Sequence, residues 1–418
     1  MKKILMATSA IGVTSLLTLG AAFAQTAAPG SVTVHLNGRI NWYAGIEGSS
    51  LDSVNGTKTA TDSFYGYMRL YPGFDGVAAN GLHYGASTQI RMNFESSASA
   101  ETLYVFQAYG YLGTPELGQV SFGQQNGPTV LFETGTFEGF NDGAWFGDLP
   151  VIIPENAEVI YPFVDTGYNQ TSDKLVYLSP TIAGFQFAFG FTPNNTGMNY
   201  SPALTSVDTT VLGGTPKNLL DIGGQYTQTF GPVGIQVGAD YQYAGQVAGT
   251  NAQTAGYQTP TGYKNLSIFS GGATATISGV TFGGNVVYGD YNEVSGYSFQ
   301  MEPDGGQAAI GWLAGAQYTK GPLTFGASYF GFNTTGDLPG GVDDGGTVTA
   351  AGLTTGQQMD AGFAAGATYT LVPGVNLFLD YDWGWRHQGG LDFSNGNAGT
   401  QHNTVQSQLF GVGTQIQW

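Results

Sequence analysis

The chain has 418 residues, of which 10% are charged and 41% hydrophobic, and it contains 67 glycines, 24 tyrosines, 26 phenylalanines and no cysteine. Soluble domains average about 25% charged residues and disordered chains are poor in aromatic residues, so the composition fits neither class. The absence of cysteine excludes a disulfide scaffold, a thiolate zinc site and a cysteine nucleophile. The chain has 11 basic and 29 acidic residues, and the basic residues do not cluster. A nucleic-acid-binding surface needs clustered Lys and Arg, so this function is excluded.

The first residues predict an export signal. Lys2 and Lys3 precede an apolar stretch over residues 4–19, and Ala22-Phe23-Ala24 is a small-x-small cleavage site. We expect residues 1–24 to be cleaved and residues 25–418 to form the mature domain. The alternative is a membrane anchor, but the apolar stretch is short and diluted by Thr, Ser and Gly. No other segment has the roughly 20 consecutive apolar residues of a spanning helix, so any membrane crossing must use strands.

Alternation of apolar and polar residues then predicts strands with one lipid-facing and one water-facing side. Over residues 32–43 the apolar face carries Val32, Leu36 and Trp42, and the polar face carries His35 and Arg39. The same period recurs in three further stretches, near residues 82–95, 375–383 and 410–418. A soluble β-sandwich alternates in the same way, so the connections must decide between the two folds.

Short and long connections interleave strictly along the chain. Seven tight turns are expected at 75–80, 114–117, 180–183, 231–232, 278–279, 320–322 and 372–374. Eight mostly long polar loops are expected at 47–61, 96–101, 127–171, 194–216, 248–262, 293–306, 334–357 and 387–403. This order predicts an all-β fold, a transmembrane antiparallel β-barrel of 16 strands with short turns at one rim and long loops at the other. A barrel of this size encloses water.

Aromatic residues are abundant enough for two girdles at the membrane interfaces. The candidates are Trp42, Tyr71, Phe74, Tyr84, Tyr288, Tyr369, Trp383 and Trp418.

The loop over residues 127–171 is the candidate functional element. It contains aromatic residues that need burial, and seven acidic residues without one Lys or Arg. We expect it to fold into the barrel and narrow the channel, because a connection this long is usually functional or disordered. The acids expected at the constriction are Glu133, Glu138, Asp142 and Asp148. The alternative is an external lid with solvated acids.

The four arginines of the chain, Arg39, Arg69, Arg91 and Arg386, all fall at lumen-facing positions of predicted strands. The strands that carry them become neighbours when the sheet closes, so they could form one basic wall. Facing the loop acids across a narrow gap, such a wall would create a transverse field. The alternative is that each is a solvated lumen residue away from the narrowest point.

The chain resembles the trimeric general porins of Gram-negative bacteria, particularly those of the alphaproteobacterial, acetic-acid-bacterium type. The resemblance rests on the export signal, an aromatic last residue and the segments SVTVHLNGRINWYAGIEG, ELGQVSFGQQNGPTV, KLVYLSPTIAGFQFAFGFTPN and TKGPLTFGASY. It implies a homotrimer of sixteen-stranded barrels in the outer membrane, each with its third external loop folded inward.

The segment TFEGFNDG is similar to the acidic segment of that loop, which would put Glu138 at the eyelet with Asp142 or Glu133 beside it. The chain departs from the family at two positions. Gln124 stands where the family often has Arg, which would weaken the basic cluster, and Trp418 stands where the last residue is usually Phe.

These features predict an exported outer-membrane channel for passive diffusion of small hydrophilic solutes and ions, without a cofactor or metal. The acidic balance favours a mild cation preference, although screening leaves only charges near the eyelet effective. Exposed loop acids could instead bridge divalent cations to lipopolysaccharide. An enzyme is disfavoured, because the four histidines show no metal-ligand spacing and Asp380 and Asp382 are expected to be solvated lumen residues.

Two alternatives stay open. One is a substrate-specific channel, for example for sugars, with an aromatic ladder from Trp145, Phe146, Tyr161 and Tyr168. The other is a structural or adhesive barrel plugged by the long loop.

Overall fold

The computed structural model describes residues 30–54, 61–93, 102–164, 172–193, 217–245, 265–291, 308–334 and 357–418. The expected signal segment, residues 1–24, and the end of the long loop, residues 165–171, lie outside this part of the chain. Among the helices in the described ranges, none has the length and apolar character needed to span a membrane.

Antiparallel strands form almost all of the regular secondary structure. Sixteen of them close a barrel, because β1 pairs both with β2 and with the last strand, β18. The barrel strands are β1 (Val32–Ser49), β2 (Asp62–Val77), β3 (His83–Asn93), β4 (Thr102–Thr114), β5 (Gly118–Gln124), β6 (Asp173–Leu178), β7 (Phe185–Thr192), β8 (Lys217–Phe230), β9 (Val233–Gly245), β10 (Leu266–Ile277), β11 (Val280–Asp290), β12 (Ala309–Lys320), β13 (Leu323–Thr334), β14 (Gln358–Val372), β15 (Val375–Gln388) and β18 (Thr404–Gln417). The short strands β16 (Leu391–Asp392) and β17 (Asn397–Ala398) form a separate two-stranded sheet between β15 and β18.

The predicted fold class and strand count are confirmed, and each of the seven expected tight turns joins two consecutive barrel strands. Ser278-Gly279 shows the local cause. Both residues have positive φ, 51° and 84°, which is the requirement of the two-residue hairpin whose twist matches the flanking strands. The strand ends that lead into the long connections all lie at the opposite rim, and the short-turn rim also holds the start of β1 and the end of β18.

The outer face of the wall is apolar, as the alternation predicts. Val34, Leu36 and Phe64 are 79%, 62% and 76% exposed in the isolated chain, which is the surface that lipid covers in a membrane barrel. The prediction that Tyr71 belongs to an aromatic girdle is wrong. Tyr71 is only 6% exposed, because its odd position on β2 shares the inward face with Arg69.

The apolar core lies inside the barrel. It forms between the inner wall and the long loop, which enters the lumen after β5 and contains a one-turn helix, α1 (Pro128–Leu131), and three short 3-10 helices, Ala144–Phe146, Leu149–Ile152 and Glu155–Ala157. We call residues 125–164 the constriction loop.

Candidate functional site

The constriction loop lines most of the barrel circumference in two passes. The outward pass runs from α1, which contacts β7, β8 and β9, to the helix Leu149–Ile152, which contacts β1. The return pass then crosses back, with Val159 against β15, the Ile160 amide donating to Asp360 on β14 (3.2 Å), and Phe163 against β12. Loop and wall therefore share a long interface.

Inward-facing glycines make this close approach possible. At each of several strands, a methyl group in place of the glycine hydrogen would lie within 3 Å of a loop atom. Gly272 on β10 would overlap the carbonyl of Thr134, and Gly315 on β12 would come 2.6 Å from the Phe137 ring. These glycines, which we call the glycine track, are Gly45, Gly190, Gly223, Gly238, Gly272, Gly315, Gly326, Gly362, Gly366, Gly384 and Gly411.

Apolar side chains complete the interface. The rings of Tyr161 and Phe163 on the loop pack edge-on against Phe330 of β13, with centroids 5.3 and 5.8 Å apart. The wall supplies apolar residues at inward positions, where a water-filled lumen needs polar ones. They are Val287, Leu313, Phe330, Phe332, Phe378 and Leu409, all at most 8% exposed. These breaks in the alternation mark the wall on which the loop packs.

The opposite wall, made of the short-turn end of β1 together with β2–β4, carries three of the predicted arginines. Arg39 lies directly opposite Arg69 in the β1–β2 register, and Arg69 lies opposite Arg91 in the β2–β3 register. Like charges in direct cross-strand pairs are unfavourable unless water or counter-charges screen them. We call this set the arginine row.

Asp148 of the loop faces the arginine row. Its Oδ1 lies 3.4 Å from Arg69 Nη2, and these two side chains are 28% and 14% exposed. The Tyr67 hydroxyl donates to Asp148 Oδ2 and accepts from Arg39 Nη2 (2.7 Å). A partly exposed acid of the loop is therefore in direct contact with the arginine row, and we call this place, formed by Asp148, Arg39 and Arg69, the eyelet.

Asp142 positions Asp148. Its carboxylate accepts from the amides of Asp148 (2.8 Å) and Leu149 (3.0 Å) and from the Tyr43 hydroxyl (2.6 Å). Desolvation, and then the nearby charges of Asp148 and Asp380, raise the pKa of the Asp142 carboxyl well above its ordinary value. Asp142 thus adds less negative charge to the eyelet than its formal charge suggests.

The other predicted site residues lie elsewhere. Glu133 accepts from the Thr136 hydroxyl (2.5 Å), and Glu138, which is 9% exposed, accepts from the Tyr161 hydroxyl (3.2 Å). Both belong to the part of the loop that crosses β9–β12, on the side of the barrel opposite the arginine row.

Arg386 does not join the arginine row. On the shared neighbour β18, Arg386 lies opposite Val405 and Arg39 opposite Gln417, a separation of roughly 40 Å at about 3.3 Å per residue. Arg386 instead lies 3.7 Å from Asp360 and donates to the Glu158 carbonyl (3.3 Å). It holds the return pass of the loop against the wall.

Two expectations about solvated or channel-lining residues are wrong. Asp380 and Asp382 are 2% and 1% exposed, because the constriction loop covers β15. Trp145 and Tyr161 are 4% and 2% exposed, so these two rings pack against the wall and do not form a ladder along the water path. Tyr168 lies outside the described residues.

Two tyrosines of the site were not predicted from the sequence. Tyr43 and Tyr67 orient both loop acids, and Asn41 donates to their hydroxyls (2.5 and 2.9 Å). Their odd positions on β1 and β2 were visible in the sequence. Their partners could not be predicted, since a lumen-facing Tyr gives no sign of which loop residue it meets.

In the described part of the chain, no group of three or more His, Cys, Asp or Glu residues is placed to hold a metal ion.

Comparisons with known proteins agree with this architecture. A family model described as Gram-negative porin matches residues 7–385, whereas no curated protein matches the chain. Among solved structures, the chain is similar to an anion-selective porin of Comamonas acidovorans, with 12% identity, a TM-score of 0.56 and coverage of 93% of this chain and 100% of that one.

Two further solved structures show the same fold. The outer membrane channel DcaP of Acinetobacter baumannii has 12% identity and a TM-score of 0.55, with 95% and 100% coverage. A triple mutant of the Rhodopseudomonas blastica porin has 13% identity and a TM-score of 0.50, with 92% and 100% coverage. Because the family model spans most of the chain and the fold is a closed sixteen-stranded barrel, this protein belongs to the Gram-negative porin family and is an outer-membrane channel.

Proposed function

We propose that the protein is a water-filled channel through which small hydrophilic solutes and ions diffuse passively. One observation carries the proposal: the constriction loop packs on β7–β15, β18 and β1, while Arg69 and Asp148 keep contact with solvent at the eyelet. A loop that narrows a wide barrel without filling it produces a size-selective pore.

The eyelet also sets the proposed ion preference. The acidic composition by itself favours cations, but charges act only over about 8 to 10 Å at physiological salt. Among the described residues, no carboxylate lies within ion-pair distance of Arg39 or Arg91, and Asp148 is engaged by Arg69 and Tyr67. We therefore propose a mild preference for anions, opposite in sign to the preference expected from composition.

Planar-bilayer recording under a salt gradient tests both points. We expect stable open channels whose reversal potential has the sign of anion selectivity. Deletion of residues 133–148 should raise the conductance, because it removes the outward pass of the loop. Unchanged conductance after deletion would show that this segment does not set the pore size, and a silent, folded barrel would favour a plugged structural or adhesive protein.

A substrate-specific channel is the second candidate, supported by tyrosines on β4, next to the arginine row. Tyr104, Tyr109 and Tyr111 of β4 take inward positions, in register with Arg91, Ser87 and Gly85 of β3. Aromatic faces and hydroxyls along a water path suit sugars. Concentration-dependent block of the ion current by a sugar would support this candidate, and the absence of block would leave the general channel.

The assembly and processing of the chain are also proposals. We propose a homotrimer, to be checked by native mass spectrometry and by conductance steps in threes. We propose cleavage after Ala24, which predicts a mature chain that begins at Gln25 in intact-mass analysis. Loss of lipopolysaccharide association on chelation of divalent cations would test the proposed bridging by external loop acids.

A further inference from the structure

Two acidic residues of the barrel wall contact the start of the constriction loop. Asp221 of β8 and Asp240 of β9 point inward and are 3% and 5% exposed. Between them lies Thr129 of α1, itself 4% exposed. The Thr129 amide donates to Asp221 Oδ2 (3.1 Å), and the Thr129 hydroxyl oxygen lies 3.0 Å from Asp221 Oδ1 and 3.0 Å from Asp240 Oδ1.

The Thr129 hydroxyl has only one hydrogen to donate, although two carboxyl groups lie within hydrogen-bond distance of it. A threonine hydroxyl donates one hydrogen bond and accepts two. Gln242 Nε2 donates to it at 2.5 Å, which leaves one donated and one accepted bond for the two carboxyl groups. If both carboxyls were ionised, one oxygen would face the hydroxyl without a proton between them. One additional proton, on either Asp221 or Asp240, turns all three contacts into hydrogen bonds.

The surrounding charges also favour one shared proton. Lys174 of β6 faces Asp221; it is 4% exposed and its Nζ donates to the carbonyls of Gln125 (2.6 Å) and Ser172 (2.9 Å). Glu133 of the loop is a further acid that faces Asp240. With one shared proton the carboxyl pair carries a single negative charge, which Lys174 offsets. A second carboxylate would add a buried negative charge on the side that faces Glu133, which is costly.

We propose that Asp221 and Asp240 share one proton across the Thr129 hydroxyl, and that this proton fixes the start of the constriction loop to the barrel wall. The two acids are positioning residues, because they act on the channel through the loop. The conductance readout of this inference rests on the proposed channel function, but the presence of the proton does not.

The proton shared by Asp221 and Asp240 makes the stability of the loop attachment depend on pH. The native state binds a proton that the unfolded chain releases at lower pH, so the stabilisation is complete in acid and is lost as the pH rises past the point where the pair ionises. Two carboxylates then repel each other, Thr129 can satisfy only one, and the start of the loop loosens. We expect wild-type conductance or current noise to rise at alkaline pH.

Infrared difference spectroscopy of the folded protein tests the proton directly. Asp240→Asn supplies an amide that donates to Thr129 in place of the shared proton, so Asp221 becomes a plain carboxylate. We expect Asp240→Asn and Asp221→Asn each to lose the same single protonated-carboxyl band. The matched control is Asp173→Asn, because Asp173 of β6 is exposed; it should keep that band.

Channel recording of the same proteins between about pH 5 and about pH 10, a span that includes the titration of buried carboxyls, tests the coupling to the loop. Wild type and Asp173→Asn should show the alkaline rise, and Asp240→Asn should not. The inference is overturned if neither Asp240→Asn nor Asp221→Asn removes a protonated-carboxyl band from the wild-type spectrum. It is also overturned if the rise in conductance at alkaline pH persists in Asp240→Asn. Neither result would contradict the proposed channel function. Only the absence of any conductance would do so.

Discussion

At the scale of single residues, hydrogen bonds to tyrosine hydroxyls decide where the eyelet charges lie. Tyr67 connects Arg39 to Asp148, and Tyr43 connects Asn41 to Asp142. Charge-assisted hydrogen bonds are stronger than neutral ones, so these contacts fix the acid side chain against a row of arginines. The eyelet is therefore shaped by residues of β1 and β2 as much as by the loop.

Asp148→Asn should change selectivity without changing the fold. The Arg69–Asp148 pair is partly exposed and long, and such pairs contribute about 0.2–1 kcal/mol to stability. Removal of the eyelet carboxylate leaves the arginine row unopposed, so the reversal potential should move further towards anion selectivity. Asp173→Asn on β6, away from the eyelet, is the control. An equal shift of the reversal potential in both variants would show that Asp148 does not act at the eyelet.

At the scale of elements, the constriction loop behaves as an inner layer of the barrel wall. Its position depends on two features of the strands: glycines where loop backbone approaches, and apolar side chains where loop rings need a partner. Arg386 and the Asp221–Asp240 pair hold its return pass and its start. A loop held at several points along its length is expected to be rigid.

Gly272→Ala tests the glycine track. Its added methyl group would overlap the Thr134 carbonyl, which is backbone and can move only with the loop. Overpacking of this kind costs about 1–3 kcal/mol, so thermal stability should fall and conductance should change together. The same substitution at Gly389, where nothing lies within 4 Å, should leave both within experimental error; equal effects at both positions would refute the role of the track.

At the scale of the whole molecule, Trp418 extends the pairing of β1 and β18 that closes the barrel. Trp418 and Gly38 exchange two backbone hydrogen bonds (3.1 and 3.2 Å), and the indole lies over Gly38, where a side chain would collide with it. This contact joins the first and last strands at the short-turn rim.

Trp418→Phe should preserve folding, because a smaller aromatic ring still covers Gly38, whereas Trp418→Ala should lower the yield of folded, heat-modifiable barrel. Both variants keep the backbone bonds, so the comparison isolates the ring. The yield is measured by the mobility shift of unheated against heated protein on gels. Equal yields of the two variants would show that the aromatic ring is dispensable for closure.

The sequence determined the barrel because its signals are local. Period-two alternation and turn residues such as Ser278-Gly279 act within one hairpin, and the number of hairpins gives the strand count. The inward positions of Arg39, Arg69 and Arg91 followed from the same parity.

Only the tertiary structure decided which charges meet. Parity gives the face of a strand but not the height at which a residue lies. Arg386 of β15 therefore shares the inward face with the arginine row and yet lies beside the opposite end of the neighbouring strand β18. The path of the loop across ten or more strands decides which wall residues it covers. It buries Asp380 and Asp382, and it brings Thr129 into contact with Asp221 and Asp240. That path is set by long-range packing of glycines and aromatic rings, which no short stretch of sequence contains.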